Sequence, residues 1–232
     1  MFAHKKCLLN KKMSLVTQIR GLFYSGFMSL PLVLIGIILF LATSLGNLGL
    51  LMLSLGQIAI VPIVVWGANL FHEYFFQGSA LFSTASSAHC NLVPSAPLAE
   101  SLGMIGVAPS YWSAQIIFFF VFLMTNAMVL YNKPPTAGAD PAKVANRKAQ
   151  TLTAFLISLA VLIALIVLRN GTGCETIAGT ALGILIVAPI ANGWYHLAAL
   201  CGARDADVFG ILQKILPQNM KDEPPMTCVY SP

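Results

Sequence analysis

Residues 113–131 read SAQIIFFFVFLMTNAMVLY, without a charged side chain or a proline. About 20 such residues, wound as a helix, cover the hydrocarbon core of a bilayer. A strand of a membrane barrel would alternate apolar and polar with a period of two, and this stretch does not. Four more runs of the same kind surround it: Met28–Gly46, Leu48–Phe71, Leu152–Leu168 and Thr176–Leu200. None carries a charge inside. The sequence therefore predicts an all-α fold, a polytopic transmembrane helical bundle of five spans, or six if a short N-terminal segment also crosses.

Composition agrees. The 232 residues are 57% hydrophobic and 9% charged, with a mean hydropathy of +0.80. A soluble domain carries about 25% charged residues, so this chain lacks the polar surface a water-soluble globule needs. Disorder, collagen, coiled coil and a disulfide scaffold are excluded on the same grounds. The net charge of +5 is not organised into a basic stripe with aromatics, so nucleic acid is not an expected partner. The lipid bilayer is.

Three regions follow. Residues 1–27 form a basic arm. Lys5, Lys6, Lys11 and Lys12 precede Val16, Ile19, Phe23 and Phe27, whose spacing suits an amphipathic helix lying in the headgroups. Residues 28–200 form the bundle, with a cap loop at 72–111. Residues 201–232 form a tail. The loop Asn132–Gln150 holds Lys133, Lys143, Arg147 and Lys148 against Asp140, whereas the cap loop has no Lys or Arg. The positive-inside rule places the first in the cytoplasm and the second on the lumenal side. Five spans then put the tail in the cytoplasm and the basic N-terminus in the lumen, against that rule. A sixth span would remove the conflict.

Alternation of the spans brings several polar residues to one mouth of the bundle. His72 ends the second run, Ser110 and Trp112 open the third, Arg169 ends the fourth, and Glu175 precedes the fifth. Arg169 and Glu175 are expected to pair with each other, since unpaired charge near the membrane is costly. Tyr111 and Trp112, and at the far end Trp194, Tyr195 and His196, are expected as interfacial belt residues. Gly179, Ala181 and Gly183 suggest close helix contact. Cys90 and Cys174 share the lumenal side, where a disulfide between them would tie the cap to the fifth span; two free thiols are the alternative. No Cys/His spacing indicates a metal, and no cofactor is expected. The sequon at Asn170 abuts a helix end and is expected to stay unmodified. In the tail, Val208, Phe209, Ile211, Leu212, Ile215 and Leu216 give an apolar helical face. Beyond Pro224–Pro225, residues Cys228, Val229 and Tyr230 are expected to contact a partner protein.

Two resemblances follow from these residues. PSYWSAQIIFFFVFL and LRNGTGCETIAGTALGIL are similar to the second and third motifs of the type-2 phosphatidic acid phosphatase (PAP2) superfamily. That family has a Lys/Arg-Pro motif, then Pro-Ser-Gly-His, then Ser-Arg-x5-His-x3-Asp. In register, Pro109 and Ser110 match, the acid His falls on Trp112, the Arg on Arg169, the nucleophilic His on Glu175, and the orienting Asp on Gly179. There is no Lys or Arg between Arg20 and Lys133, whereas phosphoryl transfer needs several cationic donors. The resemblance thus implies a degenerate, non-catalytic copy with no catalytic residues. PSYWSAQ, NRK, RNGTGCET, CGARDADVFGI and MTCVYSP also resemble multi-span membrane proteins of large double-stranded-DNA viruses. This implies a structural component of a virion inner membrane, a minor capsid protein, in that membrane or in host-derived endoplasmic reticulum, with other virion or capsid proteins as partners. The alternatives are a lipid-phosphate phosphatase of divergent site and a small transporter subunit.

Overall fold

The computed structural model describes residues 26–27, 29–75, 109–135 and 140–203. The N-terminal arm, most of the cap loop with Cys90, and the tail with Cys228, Val229 and Tyr230 lie outside the described residues. Among the described residues the fold is all-helical. Helix α1 covers Ser29–Leu45. Helix α2 (Leu48–Leu55), a π-helical turn (Gly56–Ile60) and α3 (Val61–Phe75) follow without a break. Then come α4 (Tyr111–Asn132), α5 (Pro141–Gly171) and α6 (Ile177–Leu200). Four of these segments are long and apolar enough to cross a membrane. The 17 residues Ser29–Leu45 rise about 26 Å at 1.5 Å per residue, and Gly26 and Phe27 before them are also helical.

Local chemistry sets the boundaries. Gly46 adopts φ +60°, a left-handed conformation that glycine tolerates. It lets the Asn47 N–H bond the Ala42 carbonyl at 3.0 Å, a helix-ending motif of the Schellman type. Asn47 then caps α2 through its side chain, which accepts from the N–H groups of Gly49 and Leu50. The chain reverses within two residues.

Helix α5 starts well before the expected Leu152. Asp140 accepts from the Ala142 N–H at 2.9 Å and Pro141 occupies the first helical position, where its missing N–H costs nothing. After Pro141, the stretch Ala142–Gln150 is rich in strong helix formers, Ala, Lys, Arg and Gln. Most of the expected basic loop is therefore helix. At 31 residues, α5 is about 46 Å long, so its basic first turns project beyond the hydrocarbon.

Helix α4 is the centre of the bundle. Its residues from Trp112 to Phe118 are all buried, as are Phe120 and Phe122. A helix apolar all round belongs inside. In contrast, α5 buries only Thr151, Ser158, Leu162 and Arg169, a narrow stripe that begins ten residues into the helix. Helix α6 packs through small residues: Gly179, Gly183 and Ala191 are buried, and a Cβ on Gly183 would lie 3.1 Å from Pro109 Cβ. Ala181, expected on this face, is exposed. Pro189 lies within α6, which continues through it.

Contacts between distant segments fix the antiparallel course. Trp112 at the start of α4 donates to the Phe27 carbonyl at 3.1 Å. Trp194 near the end of α6 donates to the Met52 carbonyl at 2.8 Å. One end of the bundle, the mouth, thus gathers the starts of α1, α4 and α6 and the end of α5. The opposite, basic, end gathers the α1–α2 turn and the α4–α5 connection.

Candidate functional site

At the mouth, Ser110 is the N-cap of α4: its side chain accepts from the Ser113 N–H. In a capping box, an acid three residues into the helix would reach back to the cap's own N–H. Here that position is Ser113, which is too short, and Glu175 supplies the acid from the α5–α6 connection. Its carboxylate accepts from the Ser110 N–H at 3.2 Å, from the Ser110 hydroxyl at 2.9 Å, and from the Ser113 hydroxyl. Glu175 is 4% exposed. A buried carboxylate needs such donors, and the positive end of the α4 dipole adds to them.

Arg169 answers at the opposite pole. It lies in the last turn of α5, where a cation complements the negative helix end. Its guanidinium carbon is 5.1 Å from the centroid of the Trp112 ring, a cation–π distance. Trp112 is 2% exposed and also packs on Phe27 at 4.8 Å. Phe27, expected in an interfacial helix, is thus part of the bundle.

The expected Arg169–Glu175 pair is therefore replaced. Glu175 serves the start of α4 and Arg169 stacks on Trp112. Trp112 is not a headgroup aromatic; its indole N–H is used inside the fold. At the far end, half-buried Tyr195 donates to Asn126 at 3.1 Å, half-buried Trp194 donates to the Met52 carbonyl, and His196 is exposed.

The connection itself is well tied. The Thr180 hydroxyl donates to the Asn170 side-chain oxygen at 3.0 Å, so the sequon amide joins α5 to α6. Thr176 caps α6 by accepting from the Gly179 N–H at 3.1 Å, which is the role Gly179 plays. Cys174 is buried and disulfide-bonded, with its partner outside the described residues. His72 lies in the last turn of α3.

A second polar cluster escaped sequence reasoning. The Val61 N–H bonds the Gly56 carbonyl, five residues back. In that register the N–H of residue 62 would serve the Gln57 carbonyl, but residue 62 is proline and has none. The orphaned carbonyl is taken by the Gln115 side chain at 2.7 Å, which also donates to the Tyr111 hydroxyl at 2.7 Å. Gly56 admits this approach, since a Cβ there would lie 2.5 Å from the Phe118 ring. The signal in the sequence was Gly56-Gln57 one turn before Pro62, facing Gln115 in the next span.

Among the described residues no cluster of three His, Cys, Asp or Glu is placed to hold a metal. Among the described residues, the mouth holds the Glu175 carboxylate against the Ser110 and Ser113 hydroxyls and the Arg169 guanidinium on the Trp112 face. Comparison with protein-family models, curated proteins and solved structures finds no match to this chain.

Proposed function

We propose that this chain is a non-catalytic integral membrane protein whose role is structural. The observation that carries the reading is the state of Glu175, the position on which a phosphatase nucleophile would fall. Its two oxygens are consumed by Ser110 and Ser113, and together they fasten the α5–α6 connection to the start of α4. Arg169, the one surviving motif cation, is spent on Trp112 in the same fastening. A phosphoryl site instead needs donors that point at an empty anion-sized space.

The virion inner membrane as the setting, and capsid or other virion proteins as partners, rest on the sequence resemblance alone. The tail arm through Cys228, Val229 and Tyr230 is the proposed partner contact.

The test is direct. Full-length protein in neutral detergent is incubated with phosphatidic acid and, separately, with a polyprenyl diphosphate. No phosphate release above buffer is expected. Release that disappears in Arg169→Ala would overturn the proposal in favour of a divergent phosphatase. Deletion of residues 222–232 is expected to leave membrane insertion intact and to lower incorporation into assembled particles.

A further inference from the structure

Helices α5 and α6 diverge from their short connection at the mouth. Both pack on α4, and toward the basic end a groove of about 410 Å³ opens between them. Val121, Met124 and Met128 of α4 and Phe155 and Leu159 of α5 supply its apolar lining. Thr125, Asn132, Asn192 and His196 are its polar members.

We propose that this groove is a binding site for an anionic phospholipid, with an acyl chain along α4 and the phosphate at the basic end. Two independent observations carry this. The first is Asn192. It lies eight residues before the end of α6, about 12 Å into the span, yet it is exposed. Its amide oxygen accepts from the Thr125 hydroxyl at 3.2 Å, which leaves its N–H donors for an occupant. An amide at that depth is costly without an acceptor, and bare acyl chains offer none. The ester carbonyl of a lipid drawn into the groove does. His196, one turn nearer the end, stands at the level of the phosphate.

The second observation is charge at the groove's end. Lys133 follows the lining residue Asn132 directly, and Arg147 of α5 donates to the Lys133 carbonyl at 2.7 Å. The Lys148 ammonium lies 5.7 Å over the Tyr131 ring. Lys133 and Lys148 are both exposed at this end. Such a cluster at a headgroup level attracts anionic lipid. The volume, about 410 Å³, falls in the small-ligand range.

Native mass spectrometry of the full-length protein tests this. The protein is presented with equal amounts of phosphatidylglycerol and phosphatidylcholine in mixed micelles. One retained phosphatidylglycerol is expected, preferred about tenfold. Lys133→Gln with Lys148→Gln is expected to abolish the preference while phosphatidylcholine retention stays unchanged. Asn192→Leu is expected to reduce retention of both lipids about tenfold, because the ester acceptor loses its donors. Millimolar inorganic phosphate is expected not to displace the adduct. Equal retention of the two lipids by the parent protein would overturn the proposal. So would an unchanged preference in the lysine pair, displacement by inorganic phosphate, or dimers in place of lipid adducts. Should Asn192→Leu fail to fold, the exposed lysine pair decides alone.

Discussion

The Gln57 carbonyl offers the sharpest test of how this bundle is specified. It loses its backbone donor because Pro62 follows at the π register, and Gln115 replaces that donor at 2.7 Å. Gln115→Leu leaves the carbonyl buried and bare. A buried unsatisfied group costs about 1–3 kcal/mol. Interhelical hydrogen bonds in membranes are measured lower, near 0.6 and at most about 1.7 kcal/mol. Leu also removes the Gln115 Oε1, which is buried without a partner, and this offsets part of the loss. The net expectation is destabilisation by about 1 kcal/mol. Pro62→Ala restores an N–H at 62 and relaxes Val61. In either the π or the α register, the Gln57 carbonyl then gains a backbone donor. Gln115→Leu made on Pro62→Ala is thus expected to cost about 0.5–1 kcal/mol less than on the parent. Tyr111→Phe serves as control for the other bond of Gln115. The assay is reversible unfolding in mixed detergent micelles, read as a double-mutant cycle. Additivity within about 0.3 kcal/mol would refute the reasoning, because it would mean that the proline does not create the need for Gln115.

Other outcomes follow from the same geometry. The Gln57 side chain is 0% exposed and neither of its polar atoms has a partner, so Gln57→Leu is expected to stabilise the protein by about 1 kcal/mol in the same unfolding assay; destabilisation would show that the amide is in use. Glu175→Ala is expected to cost about 2–3 kcal/mol and Glu175→Gln less, since an amide oxygen still accepts from Ser110; equal costs would point to the charge rather than to the bonds. Cysteines placed at Ala142 and Thr172 are expected to react from opposite faces of intact vesicles, and labelling from one face would mean that α5 does not cross.

The spans were legible because uninterrupted apolar runs of that length have one use in a protein. The gathering of Ser110, Trp112, Arg169 and Glu175 at one end was also legible, since alternating spans leave no other arrangement. What the sequence could not yield was who bonds whom. Arg169 and Glu175 are six residues apart, opposite in charge, and natural partners on paper. The structure uses them separately, because each meets a helix end of opposite polarity before it meets the other. Trp112 was misplaced for a related reason: an aromatic at a helix end suits the headgroups, unless a carbonyl such as that of Phe27 waits inside. The early start of α5 was carried by Asp140-Pro141, a cap signal read as part of a charged loop. The π turn was least visible, since it arises from the coincidence of Gly56, Pro62 and a glutamine in another span.

These details bear on function through a general point about bilayers. Lipid tails are as apolar as leucine, so burial alone does not hold helices against one another. Specific packing must come from close approach and from satisfied polar groups. At the mouth this chain has both: Gly183 against Pro109, and Glu175, Thr180 and Trp112 joining segments far apart in sequence. Among the described residues, the mouth is therefore fastened by polar bonds between segments far apart in sequence. At the basic end α5 and α6 both pack on α4, and Asn132, Asn192 and His196, which line the groove between them, are exposed. The basic end is fastened too, by Trp194 on Met52 and Tyr195 on Asn126, and the groove beside these bonds is where the proposed lipid would find its donors.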